Sequence, residues 1–225
     1  MKNIDEFQFF GRRKGRKISK KGHELIENLL PLVKLDLSKN LDYLDNLVVK
    51  KSPVLLDIGF GGGDFLYQIS RKKPKWNFIG IELYLNGIVS LLRKIEGKKN
   101  LNLRIIVDDA RKIIKDFKSN SISIITLLFP DPWRKSRHKS RRFIQLETVK
   151  QLYRILKPGG RLIISSDDEV MQTWILKNVI NYKLFHWKAE SVQDCFTFPK
   201  TFNKSKYLIK AEKGGRKAAW FVFSK

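Results

Sequence analysis

The chain has 225 residues, of which 42% are hydrophobic and 12% aromatic, so it can bury one substantial core. Lysine and arginine number 46 against 22 acidic residues, and the resulting net charge of +24 predicts a polyanionic partner, most commonly nucleic acid. A single cysteine and three scattered histidines predict neither a disulfide framework nor a metal site, and no apolar run is long enough to span a membrane. We therefore expect a cytoplasmic protein without a membrane or metal partner.

The first 50 residues are predicted to form a basic arm and a helix that packs on the core. Seven of the eleven residues from Gly11 to Lys21 are basic. This composition is typical of an arm that is flexible until it grips phosphates, although a disordered tail has the same composition. Apolar residues follow at helical spacing between His23 and Leu35, and Pro31 predicts a break within that helix.

Residues 51–225 alternate between short apolar strands and amphipathic helices. This alternation predicts a parallel, doubly wound α/β sheet, so that the whole chain forms a single domain. The predicted strands are 54–58, 77–82, 103–107, 122–129, 161–165 and 220–223. The predicted helices are 65–73, 88–95, 113–117, 143–156 and 170–180.

A glycine-rich turn follows the first predicted strand. Gly59, Gly61 and Gly63 would let the backbone approach a ligand closely. The dinucleotide fingerprint requires a further glycine where Asp64 stands, which disfavours a nicotinamide dehydrogenase. The observed spacing suits S-adenosylmethionine, whose ammonium group an acid such as Asp57 could meet.

Two further acids stand at the ends of the next strands. Glu82 closes the second strand, where an acid can accept hydrogen bonds from ribose hydroxyls. Asp109 follows the third strand, beside Ala110, where it could accept from an adenine amino group. Each acid alone is also explained as a helix cap. Three acids at successive strands after a glycine loop indicate a cofactor site.

The fourth strand runs into the turn Phe129-Pro130-Asp131-Pro132-Trp133. The prolines restrict the backbone and hold Asp131 at the carboxyl edge of the sheet, where ligands bind in parallel α/β proteins. Six of the next nine residues are lysine or arginine, and they are predicted to neutralise RNA phosphates. A capped turn with a solvated charged face is the alternative. Trp133 is predicted either to stack on an exposed base or to pack on the sheet.

Together these motifs resemble the bacterial tRNA (guanine-N7)-methyltransferases over nearly the whole chain. The matching stretches are 56–63, 80–82, 109–110, 129–133 with the basic loop, 205–207, and 11–16 in the arm. The resemblance implies a class I S-adenosylmethionine-dependent methyltransferase (Rossmann-like) fold with a seven-stranded, mostly parallel sheet. It also implies S-adenosylmethionine as the methyl donor and guanine 46 of the tRNA variable loop as the acceptor.

The resemblance, with the glycine loop, assigns roles to two groups of residues. Cofactor binding is predicted for Asp57, Gly59, Gly61, Gly63, Glu82, Asp109, Ala110 and Asp131, and Asp131 is also the predicted catalytic residue. Substrate RNA contacts are predicted for Lys135, Arg137, His138, Lys139, Ser140, Arg141, Arg142, Asp167, Ser205, Lys206, Tyr207 and Leu208. The chain departs from the family at Leu208, because a leucine cannot replace the carboxylate that the family has there.

Guanine N7 carries a lone pair and no proton, so its methylation requires alignment and a place for developing positive charge. A carboxylate that accepts from the N1–H and N2–H₂ edge would bind more strongly as that charge develops. Asp131 is the first choice for this contact and Asp167 the second, although Asp167 could instead cap the following helix. The rival hypotheses are a methyltransferase of exocyclic amino groups in DNA or RNA and a non-catalytic RNA-binding protein on the same fold.

Overall fold

The computed structural model describes residues 11, 15–37, 52–98, 102–197 and 206–225. Its strands are β1 Val54–Ile58, β2 Asn77–Ile81, β3 Leu103–Ile106, β4 Ile122–Leu128, β5 Leu156–Ser166, β6 His186–Trp187 and β7 Ala219–Ser224. They form one sheet in the order β3-β2-β1-β4-β5-β7-β6. Strands β1 to β5 pair in parallel, whereas β7 runs antiparallel to both β5 and β6. The predicted seven-stranded, mostly parallel sheet is confirmed.

Helices cover both faces of this sheet. They are α1 Lys20–Asn28, α2 Leu30–Val33, α3 Asp64–Lys72, α4 Leu85–Ile95, α5 Ala110–Ile113, α6 Leu146–Ile155, α7 Glu169–Ile180, α8 Val192–Phe196 and α9 Lys206–Lys213, with 3₁₀ turns at Ile114–Asp116 and Ser136–Arg141. Alternate residues of β1 enter opposite cores, since Val54 and Leu56 pack on one face and Leu55 on the other. Burial on both faces explains why β1 reads as a continuous apolar run.

The predicted elements agree with the structure where the apolar pattern is long. Strands β1 to β4 end within one residue of their predicted limits, and the predicted break near Pro31 separates α1 from α2. Three short elements were not predicted, namely β6, α8 and α9. The two residues of β6 are exposed, so no burial pattern marks them. Strand β5 starts at Leu156, five residues earlier than predicted, because its pairing with β4 continues through a register shift.

The described part of the arm is docked on the core. The Gly15 N–H donates to Asn86 Oδ1 at 2.7 Å, and Asn86 Nδ2 donates to the Arg16 carbonyl at 2.8 Å. Arg93 Nη2 also donates to Ser19 Oγ at 2.8 Å. Residues 15–19 are therefore held against α4, whereas residues 12–14, which carry three of the predicted basic side chains, lie outside the described residues. Across the described ranges, no helix is both long enough and apolar enough to cross a membrane.

Candidate active site

A cavity of about 590 Å³ lies at the carboxyl ends of β1 to β4. It brings together seven of the predicted site residues, which are Gly59, Gly61, Glu82, Asp109, Ala110, Asp131 and Arg141. Polar and aromatic lining residues that were not singled out from the sequence include Tyr84, Asp108, Arg111 and Phe143. The predicted edge of the sheet is therefore a concave site of the size that binds small molecules.

The three predicted glycines have different environments. Gly59 has φ 69°, and a Cβ there would meet no atom within 4 Å, so the backbone is open beside the cavity. Gly61 has φ 55° and lines the same cavity. Gly63, at φ 70°, precedes α3, and a Cβ there would stand 2.8 Å from the Leu91 side chain. Gly63 does not line the cavity, so its glycine is explained by close packing of the loop on α4.

Lys94 ties the glycine loop to α4. Its Nζ donates to the Gly62 carbonyl at 2.7 Å and to Ser90 Oγ at 2.8 Å. The same ammonium lies 3.4 Å from the carboxylate of Asp64. Asp64, which stands where the dinucleotide fingerprint requires a glycine, thus supports Lys94, and Lys94 in turn holds the glycine loop.

Glu82 joins the glycine loop to the end of β2. Its Oε2 accepts from the Gly61 N–H at 2.7 Å, and its Oε1 accepts from the Leu83 and Tyr84 N–H groups at 2.8 and 2.9 Å. These backbone donors fix the carboxylate at the cavity wall. Since a carboxylate offers about four acceptor positions, it keeps capacity for a ligand hydroxyl.

Asp57 is buried at 2% exposure in β1, one residue before the cavity wall begins at Ile58. Thr126 Oγ1 donates to its Oδ1 at 2.7 Å. The pKa of Asp57 is raised to about 7, mainly by burial and to a smaller extent by the nearby Glu82, while the Thr126 hydrogen bond opposes the shift. The group therefore changes charge near neutral pH, directly beneath the glycine loop.

Asp109 serves both as a helix cap and as an ion-pair partner. Its Oδ1 accepts from the Arg111 N–H at 3.0 Å, and its Oδ2 accepts from Arg111 Nη2 at 2.8 Å. Asp108 is less buried and lines the cavity beside it. The structure thus presents two adjacent acids at the end of β3, of which Asp109 is the one fixed by Arg111.

Asp131 stands on an unusual turn. The residues two before and two after it, Phe129 and Trp133, have φ values of 55° and 41°, which are costly for aromatic residues at about 1–3 kcal/mol each. The Phe129 N–H is held by the Ser165 carbonyl at 3.0 Å, and its ring meets Trp220 edge-on at 5.9 Å. Asp131 is exposed at the cavity, and it has no hydrogen bond or ion pair with any residue that the structure describes.

The basic loop after this turn folds around Trp133. The Arg141 guanidinium lies 5.1 Å from the Trp133 ring centroid, and the His138 ring meets it edge-on at 5.7 Å. Burial, followed by the charges of Arg141, Arg137 and Lys135, lowers the pKa of His138. The side chains of Lys135, Arg137, Lys139 and Ser140 are exposed. Trp133 thus packs within the loop and also lines the cavity.

Comparison with solved structures identifies the fold. The chain is similar to an antibiotic-related methyltransferase, with a TM-score of 0.59 at 19% identity over 88% of this chain and 98% of the other. It is also similar to a 30S ribosomal A1408 methyltransferase from an uncultured bacterium, with a TM-score of 0.56 at 17% identity over 85% of this chain and 95% of that one. These likenesses confirm the class I methyltransferase fold.

Sequence comparison identifies the family. The profile of a family described as "Putative methyltransferase" matches residues 51–220. A tRNA (guanine-N(7)-)-methyltransferase of Agrobacterium fabrum is 36% identical over 96% of this chain and 94% of its own length. The protein of the same name from Rhizobium meliloti is 37% identical over the same shares. The chain belongs to the tRNA (guanine-N(7)-)-methyltransferase family.

Two predicted substrate contacts are buried in this member of the family. Arg142 is 2% exposed, so the expectation that it reaches RNA phosphates does not agree with the structure. Leu208 is 4% exposed and belongs to the core that contains Ile163 and Trp220, so it cannot be a surface contact. An apolar side chain there fits the core where a carboxylate would not. Ser205 and the side chains of residues 206 and 207 lie outside the described residues.

Asp167 lies outside the cavity of this methyltransferase, and its Oδ2 accepts from Arg216 Nε at 2.7 Å. The alternative prediction that it caps the following helix is wrong by one residue. Asp168 is the cap, since its Oδ1 accepts from the Met171 N–H at 2.9 Å. No group of three or more metal-binding side chains occurs in the part of the chain that the structure covers.

Proposed function

We propose that this chain transfers a methyl group from S-adenosylmethionine to N7 of guanine 46 in the tRNA variable loop, with Asp131 at the active centre. The names of its relatives support the reaction class. The observation that carries the role of Asp131 is its position. It is an exposed carboxylate at the edge of an acid-lined cavity, on the turn from which the basic loop begins.

The cavity fits the proposed cofactor. When bound, S-adenosylmethionine supplies an electrophilic methyl group on a positively charged sulfur. The open backbone at Gly59 leaves room for a ligand to approach closely. Glu82 keeps acceptor capacity for ribose hydroxyls, and Asp57 is the acid that would meet the ammonium group. Asp108 and Asp109 would face the adenine end at the close of β3.

Asp131 would act on the acceptor guanine. No base is needed to deprotonate N7, so the contribution of the protein is to align the base and stabilise its developing charge. The N1–H and N2–H₂ groups of guanine form a paired donor edge that one carboxylate can accept. Because this edge becomes more acidic during methylation, the contact favours the transition state over the ground state. Asp131 has both oxygens available for such a contact.

The exposed cations of the basic loop would hold the RNA backbone. Lys135, Arg137 and Lys139 are exposed, and Arg141 lies beside the cavity on Trp133. Phosphate contacts of this kind fix the orientation of the RNA and leave base selection to the cavity. The net charge of +24 would also accelerate encounters with a polyanion.

The decisive experiment compares the wild-type protein with Asp131→Asn on unmodified tRNA. Loss of the carboxylate should lower the methylation rate at least about 100-fold, while the Kd for tRNA stays within a few-fold of wild type. Mass spectrometry of the nucleosides should place the wild-type methyl group on N7. Wild-type turnover in the variant would refute the role of Asp131. A methyl group on an exocyclic amine, or no cofactor binding at all, would refute the proposed reaction.

A further inference from the structure

Arg142 is the one buried cation at the end of a loop whose other basic side chains are exposed or half-exposed. At 2% exposure, its guanidinium could reach a phosphate only if the loop opened. Its donors are instead directed inward, to the protein backbone. Arg142, which follows five exposed or half-exposed cations in sequence, therefore has a different task.

The guanidinium holds the two residues that follow Asp131. Arg142 Nε donates to the Pro132 carbonyl at 2.9 Å, and Nη2 donates to the Trp133 carbonyl at 3.1 Å. Trp133 has a φ of 41°, a conformation that persists only where the surroundings hold it. Arginine suits this task, because its planar fork presents two donors in fixed geometry, whereas a lysine ammonium is a single point.

The guanidinium is itself held in place. Its Cζ lies 4.6 Å from the centroid of the Trp174 ring in α7, and Trp174 Nε1 donates to the Ile144 carbonyl at 2.6 Å. The Arg142 carbonyl accepts from Gln145 Nε2 at 3.1 Å. Burial lowers the pKa of Arg142, and the nearby Asp168 carboxylate opposes that shift. The core thus fixes Arg142, and Arg142 fixes the turn.

We infer that Arg142 is a positioning residue, which sets the direction of Asp131 by holding the carbonyls of Pro132 and Trp133. The catalytic consequence rests on the proposed function, since Asp131 is the residue placed at the reacting base. Arg142 thus differs from its neighbour Arg141, which lines the cavity.

The first test replaces Arg142 by lysine, which retains the positive charge. A phosphate contact would tolerate this change, whereas one ammonium cannot hold both carbonyls. Arg142→Lys should lower kcat about 10- to 100-fold, because small misplacements of reacting groups have effects of this size. KM for tRNA should stay within about twofold of wild type. Near-wild-type kcat in a folded variant would overturn the inference, as would a lower Tm with unchanged kcat.

The second test measures how tRNA affinity depends on salt, with Arg141→Met as the matched variant. Loss of one phosphate contact makes the slope of log K against log salt shallower by about one. Arg141→Met should show this loss, and Arg142→Met should retain the wild-type slope. A shallower slope for Arg142→Met would identify a phosphate contact and overturn the inference. If the Arg142 variants do not fold, Trp174→Leu removes the ring under the guanidinium and should lower kcat without changing the slope.

A third measurement does not depend on the acceptor. Phe129, Pro130, Asp131 and Trp133 line the cavity, so a displaced turn should weaken S-adenosylmethionine binding without any RNA present. Arg142→Lys should raise that Kd several-fold. If wild-type protein leaves tRNA unmethylated, the proposed function fails, and this affinity alone decides the role of Arg142. An unchanged Kd for S-adenosylmethionine would then overturn the positioning role of Arg142.

Discussion

Replacing Asp57 by asparagine should remove a pH-dependent decrease in the free energy of unfolding. Burial raises the pKa of Asp57 from its ordinary 3.8 to about 7. Between these values the folded protein keeps a proton that the unfolded chain releases, so the free energy of unfolding falls as pH rises. Between about pH 5 and pH 8 this loss amounts to about 3 kcal/mol, at about 1.4 kcal/mol for each tenfold change in proton affinity.

Asparagine is a close substitute, because it has the same size and keeps an oxygen that can accept from Thr126 Oγ1, but it cannot ionise. We therefore expect urea unfolding without cofactor to show that the free energy of unfolding of Asp57→Asn, relative to that of the wild-type protein, increases by about 3 kcal/mol between about pH 5 and pH 8. Asp116→Asn, at an exposed carboxylate, is the control and should track the wild type throughout. If the free energies of unfolding of Asp57→Asn and wild type change with pH in parallel, burial does not raise the pKa of Asp57 as stated.

Two further predictions concern the RNA surface and the loop. Neutralising Arg137, Lys139 and Arg141 together should weaken tRNA binding and flatten its salt dependence by up to about three units of slope, as measured by filter binding at several salt concentrations; an unchanged slope would exclude this loop as the grip. Gly63→Ala should be less stable to urea than Gly97→Ala by about 1–3 kcal/mol, since both have positive φ but only position 63 adds a steric clash. Equal losses would contradict the packing role of Gly63.

The sequence predicts the sheet and most of the cavity because both follow from local patterns. Alternating apolar strands and helices define the parallel sheet, and in a parallel sheet successive strand ends meet at one edge. Gly59, Glu82, Asp109 and Asp131 therefore come together as expected, although they span more than 70 residues of chain.

Burial of single polar side chains could not be predicted in the same way. Arg142 ends a run of basic residues that look alike in the sequence, and the contacts that distinguish it, with the Pro132 and Trp133 carbonyls and with the Trp174 ring, form only in the folded chain. The cap of α7 falls on Asp168 rather than Asp167 because two adjacent acids fit the pattern equally well. Leu208 did carry a signal, since the resemblance implies a carboxylate at this position and an apolar side chain suits the buried site observed there.

Residues 134–141 form a loop whose two ends lie close together. Arg142, on its far side, is hydrogen-bonded to Pro132 and Trp133 on its near side. This closure keeps the entropic cost of a change in loop length small, because doubling the length of a closed loop costs only about 0.6 kcal/mol. Changes among residues 135–140, which do not line the cavity, could alter which RNA shapes are bound while the cavity lining stays the same. Substrate range and catalytic geometry could thus diverge separately, on either side of one buried arginine.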